Sequence, residues 1–112
     1  MAGTIEVRRD VRWNASSWLF DWVLNDLSAA VQDAVTVLRI QEIVRENLGW
    51  LSVKDLSEAG GAEVLAALCR SLVDHSDRGL PADLPNREDV LNHLQELADL
   101  ACDSSKPKRA SG

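Results

Sequence analysis

From Leu19 to Leu38 apolar side chains recur every three or four residues, and just past Leu38 the pattern changes sides. Set on a helix at about 100° per residue, Leu19, Phe20, Val23, Leu24, Leu27, Ala30, Val31, Ala34, Val35, Val37 and Leu38 form one broad stripe. Asp21, Asn25, Ser28, Gln32, Asp33, Thr36 and Arg39 lie opposite, as in an amphipathic helix with a wide buried face. Ile40, Ile43 and Val44 then project on the far side, and Gln41, Glu42 and Arg45 take over the apolar one. A straight helix cannot serve one core with both halves. The sequence therefore predicts a kink near residues 38–40, or two ends packed against different neighbours. Read as continuous from 17 to 47, the helix would reach about 46 Å at about 1.5 Å per residue. That is long for a domain whose radius of gyration should be about 13–14 Å.

Trp18 and Trp22, one turn apart, fall outside the stripe, on the polar side near Ala29. With Trp13, Asp21, Asn25 and Asp26 they make the candidate interaction residues, because tryptophans inside an acidic rim suit a hot spot against a basic surface.

Ahead of this helix, residues 4–13 alternate almost perfectly. Ile5, Val7, Val11 and Trp13 face one way, and Thr4, Glu6, Arg8, Asp10 and Arg12 the other; only Arg9 breaks the period. Period two with β-branched residues reads as a half-buried strand. No second strand is evident to satisfy its backbone, so it is expected to lie over the helices as an arm, to pair with its copy, or to join a partner's sheet.

Gly49 stops the long helix. Ser52-Val53-Lys54-Asp55 opens a short helix closed by Gly60-Gly61, and Val64, Leu65, Leu68, Cys69, Leu72 and Val73 predict a helix over 62–75. Residues 76–86 read as a loop. Asn86 caps a last helix with Val90, Leu91, Leu94, Leu97, Ala98 and Ala101 inside, before a tail from Asp103 that buries nothing. The expected architecture is all-α: a compact bundle of four to five helices (14–102), with one long, straight or kinked N-terminal helix, an extended arm (1–13) and a disordered tail (103–112).

The chain's 112 residues suit one domain. Its formal charge of −6 is unevenly spread. Basic residues gather near Arg8, Arg9 and Arg12 and at Lys106, Lys108 and Arg109, which leaves the segment 14–103 at about −10. Such a surface repels nucleic acid and suits a basic partner. No apolar run approaches the roughly 18–20 residues of a membrane span, and the first residues lack a secretion signal, so the expectation is a cytoplasmic protein. Cys69 and Cys102 are expected to be buried free thiols there.

Chemistry is sparse. His75, with Asp74 and Asp77, is the nearest approach to a metal-ligand set, and His93 borders the apolar face of the last helix. Neither cysteine is near a histidine in sequence, and the Gly60-Gly61 pair reads as a turn. No catalytic residue, cofactor or metal is expected. Two readings follow. One is a small acidic interaction module (an inhibitor, an antitoxin- or immunity-like protein, or an adaptor) that binds a basic protein. The other is a structural homodimer, or an accessory subunit of a larger assembly, joined through the tryptophan face and the N-terminal strand.

Overall fold

The structure is a computed structural model that describes residues 2–105. It overturns the all-α expectation: five helices pack on a three-stranded sheet. The alternating segment is a hairpin, with β1 (Ala2–Arg8) antiparallel to β2 (Val11–Ser16). Arg9, the residue that breaks the period, is in the turn beside Asp10, whose φ is 65°. Aspartate tolerates this left-handed conformation better than most residues. The pairing slips between Glu6 and Arg8, a bulge beside the turn. Ile5, Val7, Trp13 and Ala15 face the core.

The chain then enters α1 (Ser17–Ala30), breaks at residues 31–33, and resumes as α2 (Ala34–Arg45). The break comes well before residues 38–40, and specific bonds hold it. Asp33 caps α2 by accepting from the Thr36 amide (3.0 Å) and the Thr36 hydroxyl (2.6 Å). From the next helix, α3 (Glu58–Arg70), the Glu63 carboxylate accepts from the Gln32 amide (2.8 Å) and the Asp33 amide (3.1 Å). Backbone donors that a continuous helix would have satisfied are met by side chains.

The break also settles the change of face. Once α2 is free to turn, Thr36, Ile40 and Ile43 are its buried residues. Val35 and Leu38, part of the stripe that α1 buries, point outward and are 74% and 66% exposed.

Helix α2 closes with Asn47 in the left-handed region (φ 53°). The Asn47 amide bonds to Val44 O at 3.2 Å and the Leu48 amide to Ile43 O at 3.0 Å, a Schellman end. Gly49, at φ 68°, turns the chain into β3 (Trp50–Ser52), and its carbonyl accepts from the Thr4 amide at 2.9 Å. Strand β3 runs parallel to β1, so the sheet order is β2-β1-β3. The N-terminal strand is central, with both edges paired inside its own chain.

A single 3-10 turn (Val53–Asp55) leads to α3, capped by Ser57. Gly60 and Gly61 lie inside α3 and do not end a helix. A Cβ at Gly60 would fall 1.9 Å from Thr36 Oγ1, so α2 and α3 approach this closely only over glycine. The helix expected over 62–75 is divided between α3 and α4 (Leu72–Gly79), and α5 (Arg87–Ser105) follows the turn after Leu80. Residues 103–105 of the expected tail continue α5; the rest of it lies outside the described residues. The core, centred on Phe20, Leu24, Ile40, Leu68 and Leu97, sits between the sheet and the helices, and the radius of gyration is 13.6 Å.

Cys69 and Cys102 join α3 to α5 through a disulfide, which corrects the free-thiol expectation. The closed loop spans a sequence separation of 33. Its loss should cost about 3–4 kcal/mol by the chain-entropy estimate, read as a lower urea midpoint after reduction. An unchanged midpoint would mean that the bond constrains nothing in the unfolded chain. Gly60→Ala should lower stability by about 1–3 kcal/mol through overpacking against Thr36, and a neutral result would show that α3 can shift away.

Candidate interaction surface

Helix α1 presents two faces. Leu19, Phe20, Val23, Leu24 and Leu27 are buried in the core. Trp18, Asp21, Trp22, Asn25, Asp26 and Ala29, at positions i, i+3, i+4, i+7, i+8 and i+11, share the other side. Five of the six residues singled out in the sequence therefore lie on one helix face. Trp18 is 47% exposed, and Asn25 is exposed beside the partly covered Asp21 and Asp26.

Helix α4 fixes the C-terminal part of this face. The Trp22 indole N–H donates to Ser76 Oγ at 2.9 Å, with Ser76 fully buried, and the Trp22 ring packs over Gly79. Asp26 Oδ1 and His75 Nδ1 are 2.9 Å apart. Asp26 Oδ2 is buried without a hydrogen-bond partner. Trp22, Asn25, Asp26 and Ala29 line a shallow groove of about 290 Å³. Chemically, this is an indole wall beside a carboxylate, which suits a cationic group.

Trp13 stands apart from the other five. It is 3% exposed, its N–H donates to His93 O at 2.9 Å, and its ring stacks on the His93 imidazole with centroids 4.7 Å apart. It anchors the hairpin to α5 and is almost wholly covered.

Exposed apolar residues that the sequence did not single out are Leu48 (50%), Trp50 (39%) and the Val35/Leu38 pair. The change of face near residue 39 was the available signal for that pair, since two stripes could not share one core.

The outer face of the sheet holds the most tightly enclosed charge. Glu6 points away from the core yet is only 3% exposed. Its Oε1 accepts from Ser52 Oγ at 2.8 Å and lies 3.5 Å from Lys54 Nζ, while Oε2 lies 3.4 Å from Arg12 Nε. The Arg12 guanidinium in turn stands 5.7 Å from the Trp50 ring centroid. One carboxylate thus gathers groups from β2, β3 and the turn that follows β3.

Among the described residues, no three His, Cys, Asp or Glu side chains converge to hold a metal, and no helix is long and apolar enough to cross a membrane. No family model, curated protein or solved structure matches this chain.

The Ser52 hydroxyl, and then Lys54 and Arg12, hold the Glu6 carboxyl below its ordinary 4.5 against the opposing effect of burial. Its contribution to stability is therefore complete above that value and is lost as the pH falls through the lower, folded-state one. Glu6→Gln should be less stable at neutral pH and show a shallower loss of stability in acid. The denaturant midpoint followed from pH 6 down to about 3 measures both, and parallel wild-type and variant curves would remove Glu6 from the acid response.

Proposed function

We propose that this protein is a small acidic interaction module that receives a basic protein partner on the outward face of α1. The observation that carries the reading is Trp18, 47% exposed on the helix face that also holds Asp21, Trp22, Asn25 and Asp26. Trp22 and Asp26, already fixed by α4, lose little further freedom on binding, and Trp18 adds open aromatic surface beside them. The charge of about −10 over residues 14–103 would steer a basic partner toward it. An inhibitor, an antitoxin- or immunity-like protein, or an adaptor works in this way without catalysis of its own. A cytoplasmic setting would require Cys69 and Cys102 to be held reduced, whereas the bonded pair belongs to an oxidising compartment.

A second reading, a homodimer or a subunit of a larger assembly, is favoured by one observation: Val35 and Leu38 are exposed side by side on α2. Strand β1 has both edges paired within the chain, so in that assembly a strand contact would fall to the outer edge of β2.

Trp18→Ala combined with Asp21→Lys tests the first reading. Trp22 is left intact because its bond to Ser76 ties it to the fold. A basic protein retained from a lysate by the wild type, then purified and titrated, should lose at least about 30-fold in affinity for the variant, with the circular dichroism unchanged. Binding indifferent to both substitutions would remove the α1 face from the reading. A wild-type dimer in light scattering that Val35→Glu with Leu38→Glu converts to monomer would select the second reading.

A further inference from the structure

The outer edge of β2 has a groove of about 590 Å³ beside it. Arg12, Trp13 and Asn14 line it from the strand, and His93, Glu96 and Asp99 from α5. Two hydrogen bonds fix which backbone groups face this groove. The Thr4 amide reaches Gly49 O on the β3 side, so residues 3 and 5 of β1 turn their backbone groups toward β2. Their register partners Ala15 and Trp13 therefore face β1, and Arg12 and Asn14 face out. The bond between His93 Nε2 and Asn14 O, 2.6 Å, agrees. That contact caps one carbonyl. The Arg12 N–H, the Arg12 carbonyl and the Asn14 N–H carry no other protein bond among the described residues.

We infer that this edge takes an extended, basic peptide segment as a fourth strand, in the groove between β2 and α5. The inference rests on the reading of the partner as basic and names the part of that partner that docks. Three outward backbone groups supply ladder bonds without displacing His93. Trp13 packs on His93 beneath the sheet, which puts α5 on the core side of the strand. Side chains of an added strand alternate between its two sides. Those on the α5 side meet Glu96 and Asp99, each with one carboxylate oxygen free of protein bonds among the described residues. Those on the outer side meet Arg12 and Asn14. The complementary segment therefore carries Lys or Arg at every second position and uncharged polar residues between. β2 ends at Ser16, and Trp18 stands two residues further on, so a segment following β2 leads toward the α1 face.

The probes are an octapeptide of alternating Lys and Thr, a block peptide of the same composition, and the alternating Glu–Thr peptide. Nuclear magnetic resonance of the full chain should show the Lys–Thr peptide shifting the Arg12 and Asn14 amides and slowing their hydrogen exchange. The alternating order should bind at least about fivefold more tightly than the block, and the Glu–Thr peptide should not bind. Glu96→Lys with Asp99→Lys, both on the exposed side of α5, should weaken binding at least about tenfold. The milder Glu96→Gln with Asp99→Asn repeats the test if the first pair unfolds. Trp18→Ala should change it by less than about threefold. Equal binding of block and alternating peptides, or unprotected Arg12 and Asn14 amides, overturns the inference. So does an absence of peptide binding. Binding lost in Trp18→Ala but untouched by the α5 substitutions would overturn the groove and leave the α1 reading standing.

Discussion

Everything in the arrangement of helices depends on the interruption at residues 31–33. Asp33 and Glu63 together accept three backbone amides there, and the Thr36 hydroxyl completes the knot. A carboxylate that accepts backbone N–H groups at a helix start is favoured by both the hydrogen bonds and the dipole. The Asp33 carboxyl is accordingly held below its usual value by the Thr36 hydroxyl and amide. Without the interruption, one rod would have to bury its two stripes in opposite directions. With it, α1 and α2 each bury one stripe, and Val35 and Leu38 of the first, beyond the break, are left facing water.

The sheet depends in a comparable way on one side chain. Glu6 lies on the middle strand and draws Arg12 from one neighbour and Ser52 from the other. A carboxylate this enclosed is tolerable only with its hydrogen bonds and countercharges in place. The three-residue β3 has little ladder of its own, so this polar cluster on one face and buried Leu51 on the other hold it in register.

Much of this was legible in the residues. The period-two segment is strand on either side of its turn, and Leu19, Phe20, Val23, Leu24 and Leu27 are buried as their stripe requires, but the helix breaks at residues 31–33 and not near 39. What misled was range. Arg9 looked like a flaw in one strand, when it marks the turn between two short ones. Trp50-Leu51-Ser52 is too brief to declare itself a strand, and only its pairing with residues 4–6 makes it one. Helical spacing placed Asp33 and Thr36 only on a polar face, and the carboxylate that completes the break comes from position 63. Of the six candidate surface residues, helical spacing sufficed to group five. Trp13 belonged to the strand pattern instead, and alternation sent it inward onto His93, 80 positions away.

The position of β1 has a consequence for what can be removed from this protein. Terminal segments often border a fold and can be trimmed at little cost, but here residues 2–8 form the middle of the sheet. A nick or deletion within the first eight residues would strip β2 and β3 of their shared neighbour at once, and would take away both Ile5 and the carboxylate of Glu6. The helices would be left with an uncovered apolar floor. A cut within residues 2–8 would thus undo the whole sheet and not one edge of it.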